Sequence, residues 1–334
     1  MAKKIKMVCY GVRKTEKLFF ETLNKNYGYD LTLIEEYLTK DNIETAKGHE
    51  AVMVRANCDC YEQNLLKMKE YGVKYLLTRT VGYNHIDLKK AHELGFEMAY
   101  VPGYSPNAVS ELAVSMGNGL LRNLFYSANH QQNHNFKIDD FMFAKEIRNS
   151  TIGIIGTGRI GYQAAKAWHG MGAKVLGYDI YESDQAKSIL TYCDLKTLIK
   201  ESDLISLHCP YIKEENYHLV DKNFLAKMKP GSVLINVVRG ELMDLDAVYD
   251  AVKSGHLKGV GLDVLENESK VFFKDFAGKP TPDNITNKLL SLYPRIIVTP
   301  HIGSYTDEAV KNMIEITYEN LKVILSGQEC KNKI

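Results

Sequence analysis

The sequence has little that would take it into a membrane, onto nucleic acid or through an oxidising compartment. None of its 334 positions falls in an apolar run of eighteen or more residues, so no segment is long enough to span a bilayer as a helix. The N-terminal MAKKIKMVCYG carries lysines, but its apolar part has only the length of a strand and does not make a secretory signal. Basic residues number 42 and acidic ones 41, and no Lys/Arg block stands out beyond the start. A phosphate backbone requires a concentrated basic face, so nucleic acid is not expected as a partner. The six cysteines (Cys9, Cys58, Cys60, Cys193, Cys209, Cys330) are scattered. Cys58-Asp59-Cys60 is a close pair without the second pair or nearby His that a zinc site needs, so no metal is expected. Free or buried thiols imply a cytoplasmic location, and the Asn149, Asn267 and Asn284 glycosylation matches then carry no weight. Repeats of 20–50 residues and low-complexity tracts are also missing.

What is there is a globular composition, 45% hydrophobic and 25% charged, on a chain long enough for two domains. Short β-rich runs alternate with helical spacing over the first hundred residues. KMVCYG (6–11), LTLI (31–34), AVMVRAN (51–57), KYLLTRT (74–80) and EMAYVP (97–102) read as strands. A second alternation runs through TIGIIG (151–156), KVLGYDI (174–180), LISLHC (204–209), SVLINV (232–237), GVGLDV (259–264) and RIIVTP (295–300). Such alternation predicts parallel sheets covered on both faces. Between the two lies a long helical pattern opened by Ser105-Pro106, followed by a polar stretch from about 126 to 150 without clear period. The chain closes on an amphipathic helix from Thr306-Asp307-Glu308.

Residues 153–161 read GIIGTGRIG. Gly156-x-Gly158-x-x-Gly161 follows a strand-like run and opens a helix-like one, and Asp179 ends the next strand. In a dinucleotide turn the first glycine permits the sharp bend, the second admits the pyrophosphate and the third lets helix and strand pack. Arg159 and Ile160 complete the turn. Asp179 would accept hydrogen bonds from the adenosine ribose, and its charge disfavours a 2′-phosphate, so NAD is expected over NADP.

Four further stretches stand in order with this turn: VPGYSPNAVSELAV (101–114), INVVRGELMD (235–244), GVGLDVLENE (259–268) and VTPHIGSYTDEA (298–309). Together they resemble the NAD-dependent D-2-hydroxyacid dehydrogenases over essentially the whole chain. The likeness is greatest to the branch holding D-lactate, (R)-2-hydroxyglutarate and aromatic D-2-hydroxyacid dehydrogenases of anaerobic bacteria. The resemblance implies an α/β fold of two doubly wound parallel-sheet domains, with a Rossmann NAD-binding domain (103–300) inserted into a flavodoxin-like substrate domain (1–102 and 301–334). It also implies hinges near Pro102 and Pro300 around an interdomain cleft. A homodimer through the helix after Ser105 follows from the same likeness, with the polar stretch beyond it as an arm on the neighbouring subunit.

Roles follow residue by residue from the same likeness. Arg239 clamps a 2-keto acid through its carboxylate and carbonyl oxygens, His301 exchanges a proton with the carbonyl oxygen, and Glu268 supports the imidazolium. Formate dehydrogenases of the superfamily carry Gln at the matching place, so Glu268 argues against that chemistry. Val237, Asp263 and the His208-Cys209-Pro210 backbone line the cofactor, and His208 is not expected to be a base. Backbone N–H groups at Val81 and Gly82 give a second hold on the carboxylate, and Tyr104 faces the substrate. Val81 departs from a more usual Ala, which leaves the exact substrate open but not the reaction.

Arg55 follows the apolar strand in VMVRANC (52–58), and strand carboxyl ends face ligands in such sheets. A second arginine beside Arg239 would suit a distal carboxylate, which favours reduction of 2-oxoglutarate to (R)-2-hydroxyglutarate. The other reading of Arg55 is a strand-end arginine paired with an acid or solvated. D-lactate, D-2-hydroxyisocaproate and D-phenyllactate stand as alternative products, and a non-catalytic NAD(H)-sensing protein as the alternative of another class.

Overall fold

A computed structural model describes residues 4–334; residues 1–3, counted in the expected first domain, lie outside the described residues. The chain divides into two compact units, Met1–Ser105 with Tyr305–Ile334, and Pro106–Ser304. The crossings fall a few residues beyond Pro102 and Pro300.

The first unit holds five parallel strands: β1 (Lys6–Cys9), β2 (Asp30–Leu33), β3 (Ala51–Val54), β4 (Tyr75–Thr78) and β5 (Glu97–Ala99), in the order β2-β1-β3-β4-β5. That is the flavodoxin-like order, in which the chain reverses direction across the sheet beside β1. Met7, Val8 and Cys9 of β1 and all four residues of β3 are buried, as strands covered by helices on both faces must be. The C-terminal helix Asp307–Leu325 belongs to this unit. Its Tyr318 carbonyl accepts from Tyr29 Oη at 2.9 Å, and its Asn320 Nδ2 donates to the Tyr100 carbonyl at 2.9 Å. Lys333 then bridges antiparallel to Ala99. The last thirty residues thus return to the unit that the first hundred begin, which is why the intervening unit is an insertion.

The second unit holds seven parallel strands: β6 (Thr151–Ile155), β7 (Lys174–Tyr178), β8 (Thr191–Tyr192), β9 (Leu204–Leu207), β10 (Ser232–Asn236), β11 (Leu257–Leu262) and β12 (Ile296–Val298). Their order is β12-β11-β10-β9-β6-β7-β8, a Rossmann order with its reversal between β6 and β9. Side chains alternate across the sheet: Val233 and Ile235 enter the core that contains Trp168, and Leu234 enters the one that contains Val248 and Phe272. The fold class is therefore the expected one, two doubly wound domains with a Rossmann unit inserted in a flavodoxin-like unit.

One local expectation is corrected. The pattern after Ser105 does not make a single long helix but two, Pro106–Leu121 and Leu124–Gln132, broken at Asn123. Asn123 sits at φ 55°, a left-handed conformation that Asn tolerates better than most side chains and that ends a helix. The polar stretch beyond 132 holds only two short 3-10 turns, Asp140–Met142 and Ile147–Asn149.

Candidate active site

The reversal between β6 and β9 places two loops against each other. Gly156 follows β6 at φ 91°, and a Cβ there would stand 2.4 Å from the Cys209 backbone nitrogen in the loop after β9. A Cβ on Gly161 would stand 1.9 Å from the Gly156 carbonyl oxygen, so only glycine lets the helix Arg159–Gly170 start this close to the turn. A Cβ on Gly158, by contrast, would meet nothing within 4 Å. Gly158 is exposed with Arg159 at the helix N-terminus, and Ile160 is half-buried. A tight turn, an open face and a twelve-residue helix pointing its N-terminus outward fit a dinucleotide pyrophosphate.

Asp179 ends this crevice just after β7. Its Oδ2 accepts from the Thr157 backbone N–H at 2.6 Å, and its Oδ1 accepts from the Tyr181 N–H at 3.1 Å. The carboxylate therefore braces the glycine turn besides being half-exposed beside it. His208 is buried with Nε2 2.9 Å from Ser206 Oγ, and burial pushes its pKa down to about 3. A histidine held neutral in this way is no proton shuttle near pH 7. Burial pushes the neighbouring Cys209 thiol up to about 11, so it is a thiol, not a nucleophile. Pro210 is exposed and Val237 is buried just beyond β10.

The same unit brings His301 and Glu268 together. His301 Nδ1 lies 2.6 Å from Glu268 Oε1. Glu268 sits in a 3-10 turn entered through Asn267 at φ 59°, and its second oxygen accepts from the Leu265 N–H at 3.3 Å. His301 itself has φ 54°, an uncommon value for a histidine. What holds it there is Asp263, 1% exposed. The Asp263 carboxylate accepts from Thr299 Oγ1 (2.5 Å), Ile302 N–H (2.9 Å) and Gly303 N–H (2.8 Å), while its backbone carbonyl accepts from His301 N–H (3.0 Å). Burial raises its pKa against the lowering effect of those hydrogen bonds. The Asp263 side chain is thus a clamp on the turn that carries His301, a task the sequence did not suggest.

Arg239 is exposed just past β10, with Nη1 donating to the Val238 carbonyl at 2.7 Å. Asn236 fixes the bend below it by donating to the Arg239 carbonyl at 2.8 Å and accepting from the Val238 N–H at 3.1 Å. A Cβ on Gly240 would stand 2.0 Å from the Leu265 carbonyl carbon, so Gly240 is what lets the Arg239 loop lie against the loop leading to Glu268.

The remaining expected residues belong to the first unit. Val81 is exposed and Gly82 half-buried in the loop after β4. That loop is tied by hydroxyls: Thr80 Oγ1 donates to the Gly82 carbonyl at 2.7 Å and lies 2.6 Å from Thr78 Oγ1, which lies 3.1 Å from His85 Nε2. Burial lowers the His85 pKa to about 4, so it enters this chain neutral. The Tyr104 carbonyl accepts from Asn312 Nδ2 at 2.8 Å. Arg55 is half-buried, with Nη1 3.6 Å from Glu16 Oε1. Glu16 also meets Arg13 and Arg79, and this cluster escaped the sequence reading because a lone Glu in KTEKLFF has the look of an exposed helix residue.

Among the described residues no helix is long and apolar enough to cross a membrane, and no group of three or more His, Cys, Asp or Glu side chains is arranged to hold a metal.

Known proteins resemble this chain in sequence and fold. Residues 114–303 match the D-isomer specific 2-hydroxyacid dehydrogenase, NAD binding domain. The chain is 39% identical over 330 residues to an aromatic 2-oxoacid reductase of Clostridium sporogenes, covering 98% of this chain and 99% of that protein. It superposes on a D-lactate dehydrogenase from Treponema pallidum with a TM-score of 0.91 at 34% identity, covering 99% of each chain. A D-lactate dehydrogenase from Lactobacillus jensenii, solved with NAD+, gives a TM-score of 0.86 at 34% identity and the same coverage. The chain belongs to the D-isomer-specific 2-hydroxyacid dehydrogenases, oxidoreductases that use NAD.

Proposed function

We propose that this dehydrogenase reduces 2-oxoglutarate to (R)-2-hydroxyglutarate. Arg239 binds the 1-carboxylate and carbonyl oxygen through paired N–H donors, and the backbone N–H groups of Val81 and Gly82 give the same carboxylate a second hold. NADH, when bound, supplies the hydride. His301 supplies the proton: Nδ1 is engaged by Glu268, so Nε2 is the nitrogen that gives its proton to the carbonyl oxygen, and Glu268 stabilises the imidazolium before transfer. In the oxidative direction the same nitrogen takes the hydroxyl proton. Gly156, Gly158, Arg159, Ile160 and Gly161 hold the pyrophosphate, and Asp179 the ribose. Val237, Asp263 and the 208–210 backbone surround the nicotinamide end, with Tyr104 toward the substrate.

The observation that carries the dicarboxylate reading is the charge around Arg55. Its acid partner Glu16 is shared with two other arginines, so pairing with Glu16 does not neutralise Arg55. Burial and the nearby Arg79 push the Arg55 pKa down, but only to about 10, and it stays charged at neutral pH. A second substrate carboxylate is the chemistry such a group accepts. A second reading, reduction of an aromatic 2-oxo acid, is favoured by the 39% identity to the Clostridium sporogenes enzyme, and pyruvate by the D-lactate dehydrogenases. Arg55→Met separates them. Under the dicarboxylate reading kcat/KM falls roughly 10–150-fold more for 2-oxoglutarate than for pyruvate, the value of one charge-assisted contact. Equal losses on both substrates exclude it.

The protein works as a cytoplasmic homodimer in this proposal. Leu124, Phe136, Ile138 and Phe143, in the helix and arm that follow Asn123, are exposed, Ile138 at 90% and Phe143 at 87%. Such a row of apolar side chains is the composition of an interface. Sedimentation at micromolar concentration tests it, with a monomer as the contrary result.

A further inference from the structure

The Glu16 cluster contains more than a counter-ion for Arg55. Glu16 is 1% exposed and Arg79 is fully buried; Arg79 Nη2 donates to Glu16 Oε2 at 2.9 Å and to the Gly11 carbonyl at 2.8 Å. That is a short charge-assisted bond inside the fold. Glu16 Oε1 is shared loosely by Arg13 at 3.5 Å and Arg55 at 3.6 Å, and the Arg55 Nη1 has no hydrogen-bond partner. Arg13 is also engaged elsewhere, its guanidinium lying 4.0 Å over the Tyr305 ring. Burial pushes the Glu16 carboxyl pKa up, but Arg79 first and then Arg55 bring it below its ordinary value, so Glu16 is ionised. Three positive charges against one negative leave this cluster with a surplus of two.

We infer that Arg79 is a positioning residue that sets the preference for dicarboxylic over monocarboxylic 2-oxo acids, by occupying Glu16 so that Arg55 keeps an uncompensated charge. Without Arg79, Glu16 would close on Arg55 and spend its charge within the protein. The inference deepens the dicarboxylate reading and depends on it. Arg79 touches no substrate in this scheme. Its influence on Arg55 is electrostatic, partly by engaging Glu16 and partly by its own charge nearby, so it depends on the sum of charges and not on the shape of any one side chain.

That dependence makes a charge ladder the test. Arg79→Met lowers the surplus to one, Glu16→Gln raises it to three, and the double variant returns it to the wild-type two. The reading is the ratio of kcat/KM for 2-oxoglutarate to that for pyruvate. One unit charge beside a partly buried ion pair is worth about tenfold. The ratio is expected to fall about tenfold in Arg79→Met, chiefly through KM for 2-oxoglutarate, to rise about tenfold in Glu16→Gln, and to return to within about threefold of wild type in the double variant. A double variant as low as Arg79→Met would mean that Arg79 acts through structure alone, and would overturn the inference. So would an unchanged ratio in Arg79→Met. Should Arg79→Met not fold, Glu16→Gln decides alone: a ratio that stays or falls overturns the inference. Arg55→Met, run in parallel, reports on the underlying reading. If its ratio equals wild type, the dicarboxylate assignment fails whatever the ladder shows.

Discussion

His301 Nδ1 and Glu268 Oε1 are 2.6 Å apart, and the histidine backbone is held in the left-handed region by a buried aspartate, Asp263. The contact engages Nδ1 and leaves Nε2 as the nitrogen that the proposed proton transfer uses. In the proposed mechanism the neighbouring negative charge of Glu268 supports the imidazolium that donates the proton.

Glu268→Gln keeps the hydrogen bond but removes that charge, so the imidazolium is less favoured. Reduction needs the protonated ring. The pH above which 2-oxo acid reduction declines should therefore move down, and oxidation of the hydroxy acid should extend to lower pH. His301→Ala should lower kcat by roughly 10²–10⁴-fold in either direction, the usual worth of a positioned acid–base group. A reduction profile for Glu268→Gln that overlays wild type would remove Glu268 from the proton-transfer pair.

In the proposed reading Asp179 governs cofactor choice from two sides. Its charge opposes a 2′-phosphate, and its Oδ2 braces the Thr157 N–H of the glycine turn. Asp179→Ala should raise KM for NADH and increase the NADPH-to-NADH ratio of kcat/KM by about tenfold, as loss of a charge-assisted contact and relief of repulsion together require. Steady-state assays with both cofactors check this. A wild type that uses NADPH as readily as NADH contradicts it.

Acid should destabilise the fold before carboxylates titrate. The native His85 and His208 have pKa values of about 4 and about 3, against an ordinary 6.5 in the unfolded chain. Below pH 6.5 the unfolded state binds protons that the native state does not, so stability present above 6.5 is lost as pH falls toward those values. Between pH 7 and 5 each histidine should cost roughly 2 kcal/mol. Thermal melts of wild type and His85→Gln across that range measure it, the variant showing the smaller decline. A wild-type melting temperature that is level from pH 7 to 5 would refute the assignment of both rings as neutral.

The architecture was legible in the sequence because its strands are buried on both faces and so appear as short unbroken apolar runs. TIGIIG, LISLHC and SVLINV each led to a real strand. The two-residue β8 escaped because Thr191–Tyr192 is too short for any pattern. The break at Asn123 escaped because apolar spacing continues through it, and only the backbone reveals the left-handed turn. At the site, residues that bond to one another from far apart in the chain were the hardest to foresee. Asp263 had a suggested place at the cofactor, but its carboxylate is taken up by the turn at 299–303. Glu16 and Arg79 are separated by 63 residues, and neither carries a local pattern that announces a buried ion pair.

The most direct measurement is NADH oxidation by the purified wild type over 2-oxoglutarate, pyruvate, 4-methyl-2-oxopentanoate and phenylpyruvate, with the chirality of each product determined. An uncompensated Arg55 predicts the highest kcat/KM for 2-oxoglutarate and an (R)-2-hydroxyglutarate product. A higher kcat/KM for phenylpyruvate or pyruvate would contradict the dicarboxylate assignment and leave a 2-hydroxyacid dehydrogenase serving a monocarboxylic acid.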